Sequence, residues 1–368
     1  MYPGLAVAQE LVAEGSTGTA RGTLSGVTRD EPVEILYVGG TGGAEERLVA
    51  RAGLRFVGVS AGGLHGLAPR YAVPNLIKLL RGWWEARRLG LQERPMTLFA
   101  TGGYASIPVA LAAWTLRVPI LVYLPDIEPG LAVRFIARLA ARVGVTVEDS
   151  RAYFPARKVV VTGYPVRAEF RGLDRAEARA SLGLTPGVPV LLVLGGSRGA
   201  RSINRALSGV LEQVLDMAQV VHVSGELDWP WVEERREALP ASLKARYHAF
   251  PYLHENMGPA LAAADMALCR AGASTLGELP FFGLPAVLVP YPHAWRYQRV
   301  NAEWLAGQGA ALRLEDEHLP DALLPTVRQL LCDRAALARM SERMRALARP
   351  DASARLAGEL LTLARAAS

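Results

Sequence analysis

Cysteine is nearly missing from this 368-residue chain, with only Cys269 and Cys332 present. A disulfide framework is excluded as the organising device, and a reducing compartment is expected. No Cys/His spacing of the zinc type occurs, and no Asp-x-Asp pair is available to hold a nucleotide-sugar diphosphate through a metal, so neither metal nor cofactor is expected. No segment approaches the ~18 unbroken apolar residues of a membrane-spanning helix, and the first residues do not form a signal peptide. There is no Gly-x-Ser-x-Gly elbow, and His65, His222, His248, His254, His293 and His318 form no evident nucleophilic triad. No glycine turn has Gly-x-Gly-x-x-Gly spacing followed ~20 positions later by an acidic residue, which argues against a dinucleotide oxidoreductase.

What is present describes a folded α/β protein. Hydrophobic residues make up 51% and charged residues 21%, and 36 glycines suit many tight strand-to-helix turns. The length suggests two domains, each with its own core. The net charge of +6 suits anionic partners such as nucleic acid, nucleotides or a phospholipid surface, and does not choose among them. Short apolar runs alternate with helical patterns, giving strands at Glu34–Val38, Leu54–Val59, Thr97–Ala100, Pro119–Tyr123, Lys158–Val161, Val188–Leu194, Val220–Val223, Tyr247–Phe250, Met266–Leu268 and Ala286–Val289. Most are apolar on both faces, the mark of parallel strands covered by helices, so doubly wound α/β units are predicted. The series runs once to "VVVTGYPVR" and begins again at "PVLLVLGGSRGA". The predicted domains are 1–164 and 165–350, with a capped helix over 351–368 returning to the first, and with the ligand site expected in the cleft that the domains face. The chain opens on a helix, "MYPGLAVAQELVAEG", with no strand before it, and the polar stretch Gly15–Arg29 reads as a flexible insertion.

Several glycine turns could hold phosphate. In "VLGGSRGARSINRAL" a strand enters Gly195–Gly199 and a helix follows, so backbone N–H groups and the helix dipole meet an anion there, with Ser197 adding a hydroxyl. In "CRAGASTLGELPFF" the residues Gly272 to Thr275 open a helix, and Glu278, a turn later, suits a ribose diol. Gln298 and Asn301 share a helix face and could meet sugar hydroxyls. "FATGGYASIPVALAAW" repeats the strand, turn and helix, with Thr101, Gly102, Gly103 and Ser106 as phosphate contacts. The bland alternatives are an ordinary βα turn, a solvated glutamate and a surface amide pair. "EILYVGGTGGAEERLV" imitates a phosphate turn but follows the first helix instead of preceding it, so it reads mainly as scaffold. "NLIKLLRGWWEARRLG" carries Lys78, Arg81, Trp83 and Trp84 on a helix that suits either an anionic membrane surface or a core with a basic outer face.

Together, "YPGLAVAQEL", "ATGGYASIPVALAAW", "VTGYPVR", "LGGSRGARSIN", "CRAGASTLGE" and "YQRVNA" resemble, in order and over nearly the whole chain, the MurG family. These are peripheral membrane N-acetylglucosaminyltransferases of peptidoglycan, and hence cell-wall, synthesis, serving cell shape and division. The resemblance implies the GT-B fold, inverting transfer from UDP-GlcNAc to undecaprenyl-diphosphate-MurNAc-pentapeptide, and action at the cytoplasmic face of the cell membrane without nucleic acid. It implies donor binding by Arg167, Gly196, Ser197, Gly199, Leu253, Ala273, Ser274, Thr275, Leu276, Glu278, Gln298 and Asn301. It implies acceptor binding by Gly102, Gly103, Tyr104 and Asp126, and a membrane patch at Lys78, Arg81, Trp83 and Trp84. The family begins with a strand and a Gly-x-Gly-Gly-His turn carrying a candidate catalytic histidine. Here Met1 stands just after that position, so the start codon is expected further upstream and no catalytic residue is assigned. The family's His-Glu-x-Asn is replaced by Tyr123-Leu124-Pro125-Asp126, and the acidic or histidine residue before the glutamine is Tyr297. The alternatives are a transferase with another lipid acceptor and a non-catalytic nucleotide-sugar-binding protein.

Overall fold

The computed structural model describes residues 2–16, 33–41, 45–61, 72–196, 199–293 and 296–367. Ser197, His65, Gly42, Gly43 and most of the predicted 15–29 insertion lie outside them. Contacts divide the chain into two units, Met1–Ala168 with Pro350–Ser368, and Glu169–Arg349. The division falls at Ala168–Glu169, four residues beyond the 164–165 boundary read from the sequence, so Arg167 is carried by the first unit.

The first unit contains helices α1 (Tyr2–Ser16), α2 (Glu45–Arg51), α3 (Ala72–Glu93), α4 (Ser106–Thr115) and α5 (Leu131–Leu139). Its strands are β1 (Leu36–Gly40), β2 (Arg55–Val59), β3 (Leu98–Ala100), β4 (Ile120–Leu124), β5 (Arg142–Val145) and β6 (Val159–Val161). β1 and β2 pair in parallel, and β3-β4-β5-β6 form a second parallel sheet. β4 is buried at every position, as two helix-covered faces require. One face packs Val133 and Ile136 of α5, and Val7 and Leu11 of α1 pack against Leu121 and Tyr123.

In the second unit, α6 (Arg175–Ser181), α7 (Arg201–Met217), α8 (Trp229–Glu237), α9 (Ala241–Lys244) and α10 (Met257–Ala263) are followed by α11 (Glu278–Phe282), α12 (Tyr297–Gly307), α13 (Leu319–Cys332) and α14 (Arg334–Ala346). Its strands are β7 (Val190–Leu194), β8 (Gln219–Val223), β9 (Tyr247–Phe250), β10 (Met266–Cys269), β11 (Ala286–Leu288) and β12 (Ala311–Arg313). All six are parallel in the order β12-β11-β10-β7-β8-β9. Read from the other edge this is the 3-2-1-4-5-6 order of a dinucleotide-binding sheet, and its topological switch point lies between β7 and β10. The last helix, α15 (Ala352–Ala367), belongs to the first unit, where Leu356, Ala357 and Leu360 join the α1 and β4 cluster.

α3 is fixed to the end of β2. Glu85 accepts hydrogen bonds from the Ser60 amide (2.7 Å) and hydroxyl (3.1 Å). A Cβ at Gly82 would stand 1.9 Å from the Ser60 carbonyl oxygen, so only glycine permits this approach. The outward stripe is Ile77, Leu80, Trp84 and Leu91, all more than half exposed, flanked by exposed Lys78 and Arg81. Trp83 departs from the expected surface patch: it is half-buried and packs on the Val59, Ala86 and Ala112 cluster. Adjacent helical positions point about 100° apart, so Trp83 and Trp84 cannot share one face.

Candidate functional site

Ligands of doubly wound sheets bind outside the carboxyl ends of the strands at the switch point. Both predicted donor turns leave strands there. β7 exits into Gly195 and Gly196, and Gly199 precedes α7; Gly196 and Gly199 have φ of +82° and +76°. A Cβ on Gly195 would lie 2.2 Å from the Ala200 nitrogen, so the turn closes too tightly for any side chain. α7, which is kinked at Val210 (φ −124°, ψ 15°), directs the positive end of its first segment toward the strand exits. This is the geometry of an anion cradle.

β10 exits through Arg270 and Ala271 into the second turn. The helix expected from Gly272 is instead a single 3-10 turn, Ala273–Leu276, followed by α11. Gly277, at φ −130° and ψ −48°, breaks the α-path between them. The Thr275 amide (3.0 Å) and hydroxyl (2.6 Å) both donate to the Gly272 carbonyl, and Ser274 is half-buried. Leu276 and Leu253 are buried to 4% exposure, so their backbone is what they can present. Glu278 is half-buried at the head of α11. Burial and then the Glu278 charge push the Cys269 thiol up to about 12, which places that carboxylate's field at the end of β10.

On α12, the Gln298 carbonyl oxygen accepts from the Tyr291 amide (2.9 Å), which leaves its NH2 end to act as a donor elsewhere. Asn301 is fully buried and donates to the Ala271 carbonyl (3.1 Å), so its amide ties α12 to the second turn. The sequence reading overlooked Arg270. Its Nη2 donates to Ser202 (2.7 Å) at the start of α7, its Nη1 donates to the Val289 and Pro290 carbonyls and pairs with Asp316, and its guanidinium covers the Tyr291 ring at 5.2 Å. One side chain thus clamps the turns after β7, β10 and β11. Its signal was an arginine immediately after an apolar strand and before a small-residue turn.

In the first unit, Gly102 and Gly103 follow β3 with φ of +87° and +86°, and the Ser106 hydroxyl donates to the Gly102 carbonyl at 2.5 Å. Tyr104 is 44% exposed at this turn, ahead of α4. A Cβ on Gly102 would meet Val133 of α5 at 2.9 Å, and one on Gly40 would meet Ala105 at 3.9 Å, so β1, β3 and α5 converge here. Asp126, half-buried after β4, lies at the same carboxyl edge. Burial chiefly, with the Asp126 charge adding, raises the Tyr123 hydroxyl pKa. Arg167 places its guanidinium 5.0 Å from the centre of the Tyr2 ring. The β1 strand runs through Gly39 and Gly40 with no positive φ, and Glu45 Oε2 would stand 2.8 Å from a Gly39 Cβ. A carboxylate there repels phosphate, consistent with a scaffold.

Two doubly wound units with glycine turns at their strand exits have the architecture of the GT-B class, and the family matches make the chain a glycosyltransferase of that class. Residues 1–145 match the glycosyltransferase family 28 N-terminal domain and residues 190–356 the family 28 C-terminal domain. The UDP-N-acetylglucosamine--N-acetylmuramyl-(pentapeptide) pyrophosphoryl-undecaprenol N-acetylglucosamine transferase of Roseiflexus sp. (strain RS-1) is 42% identical, covering 99% of this chain and 92% of its own. The same-named protein of Chlorobium phaeobacteroides (strain DSM 266 / SMG 266 / 2430) is 36% identical over 99% and 96%. The crystal structure of Acinetobacter baumannii MurG superposes with a TM-score of 0.73 at 25% identity, covering 98% of this chain and 95% of that one. The chain belongs to the MurG family of glycosyltransferases.

Proposed function

We propose that this chain transfers GlcNAc from UDP-GlcNAc to the C4 hydroxyl of undecaprenyl-diphosphate-MurNAc-pentapeptide, forming the disaccharide lipid precursor of peptidoglycan. The observation that carries this is the near-full-length identity to transferases of that name, joined to phosphate-type turns at the switch point of the second unit. The attacking oxygen forms a bond to the anomeric carbon while the bond from that carbon to the diphosphate oxygen breaks, with inversion. The hydroxyl proton passes to a general base, a role to which no residue of this sequence is assigned. UDP leaves with the bonding electrons, and its developing charge is met by the N–H groups of the β7 turn and the α7 dipole.

Donor recognition is assigned to the second unit. Gly196, Ser197 and Gly199 take the diphosphate, Glu278 the ribose diol, Ala273 to Leu276 and Leu253 the nucleoside through backbone and small side chains, and Gln298 the sugar hydroxyls. Asn301 acts by holding the second turn, and Arg167 is a further donor contact. Gly102, Gly103, Tyr104 and Asp126 take the acceptor. The exposed α3 stripe with Lys78 and Arg81 suits insertion into an anionic membrane interface, at the cytoplasmic face where a UDP-sugar is supplied. No described helix is long and apolar enough to cross a membrane. The test is transfer with UDP-GlcNAc or UDP-galactose against the muramoyl lipid or diacylglycerol. Product only from UDP-GlcNAc and the muramoyl lipid is expected, and transfer to diacylglycerol instead would overturn the acceptor assignment.

A further inference from the structure

His222 sits on β8 in the core of the second unit, 1% exposed, and takes no part in the chemistry described above. Both ring nitrogens are engaged: Nδ1 lies 2.6 Å from the Tyr247 hydroxyl on β9, and Nε2 lies 2.9 Å from Asn204 Oδ1 on α7. The amide protons of Asn204 go to the Ser224 carbonyl (2.8 Å) and to Asp228 Oδ2 (2.9 Å). Asn204 Oδ1 is therefore an acceptor, so His222 Nε2 must carry the proton and Nδ1 must accept from Tyr247. Burial favours the uncharged ring this requires, pushing His222 down to about 3 against a smaller upward pull from Asp228.

The chain of bonds ends under the donor turn. Ser224 follows β8, and its carbonyl oxygen would stand 2.3 Å from a Cβ on Gly199, so the turn rests directly on it. Asp228 also accepts from Arg201 Nε (2.8 Å), the first residue of α7. Reversing the Asn204 amide would turn its oxygen toward the Ser224 carbonyl and Asp228, two acceptors, and would release both anchors at once.

We infer that His222 is a positioning residue for the donor diphosphate: its Nε2–H fixes the orientation of Asn204, which holds the Ser224 carbonyl under Gly199 and sets the start of α7. The inference rests on the reading of the Gly195–Gly199 turn as the diphosphate cradle. It predicts a defect confined to ligands that carry phosphate. Calorimetric or competition binding of UDP and of uridine to the full chain tests it. His222→Leu is expected to weaken UDP about tenfold and leave uridine unchanged. His222→Gln, whose amide can donate from the Nε2 position, is expected to restore UDP binding to within about threefold of the parent. Tyr247→Phe, which leaves Nε2–H in place, should keep it as well. His222→Gln and Tyr247→Phe carry the test if His222→Leu does not fold. Equal UDP affinity in the parent and His222→Leu, parallel loss of uridine and UDP, or a tenfold loss in His222→Gln or Tyr247→Phe would overturn the inference. A parent chain that binds uridine but gains nothing from the diphosphate would overturn the cradle reading itself.

Discussion

Gly196 and Gly199 share a left-handed backbone but not a neighbourhood. Around Gly196 a Cβ meets nothing among the described residues within 4 Å, whereas at Gly199 it meets the Ser224 carbonyl at 2.3 Å. Gly196→Ala is expected to cost about 1–2 kcal/mol, the backbone term alone. Gly199→Ala should cost visibly more and also weaken UDP, as denaturant unfolding and calorimetry would register. His222 adds a pH dependence. Its folded-state pKa is depressed from 6.5 to about 3, so the unfolded chain binds the proton first. Its contribution is complete above about pH 6.5 and is lost as pH falls toward 3, with a slope approaching ~1.4 kcal/mol per pH unit. His248, also lowered chiefly by burial, acts in the same direction. Comparing the unfolding free energy of the parent and His222→Gln between pH 7 and 5 isolates the His222 part, with a shallower slope expected in the variant. The glycine turns were legible in the sequence because their residue types state the backbone they need. Arg270 and the His222 network were not, since their partners come from strands and helices far apart in the chain.

Elements divide in the same way. The long apolar runs became strands with small shifts, Val188–Leu194 appearing as β7 over Val190–Leu194. β5 and β12 went unread. β5 carries Gly144 in its middle, a poor strand former, yet glycine is required there because a Cβ would meet Leu356 of α15 at 2.8 Å. β12 is a three-residue edge strand, too short for any period. α3 shows where periodicity was legible but its use was not: the sequence gives both tryptophans, and only packing tells them apart. Ile77→Glu with Trp84→Glu is expected to lower partition onto anionic vesicles by tenfold or more while leaving stability nearly unchanged. Trp83→Ala is expected to cost about 1–3 kcal/mol of stability, because a half-buried ring leaves the β2 and α4 cluster. Vesicle sedimentation and thermal unfolding of the two variants would separate these roles.

At the scale of the molecule, the chain returns to its first unit at the end. α15 supplies Leu356 and Leu360 to a cluster with Val7, Leu11, Leu121 and Tyr123. Leu356→Ala is expected to destabilise that unit by about 2–5 kcal/mol, seen as a lowered transition for the first unit in scanning calorimetry while UDP affinity is retained. The two doubly wound series were readable from strand–helix alternation, and the return of the last helix from the break at Pro350. The six-strand order was not, because hydrophobic runs do not name their neighbours. That order places both proposed donor turns at one switch point. The most direct measurement is transfer of radiolabelled GlcNAc from UDP-GlcNAc to undecaprenyl-diphosphate-MurNAc-pentapeptide, by the protein expressed from its gene with any in-frame codons preceding Met1. Labelled disaccharide lipid with one UDP released per sugar, lost in Glu278→Ala, is expected. UDP-GlcNAc binding with no disaccharide lipid formed would contradict the assignment.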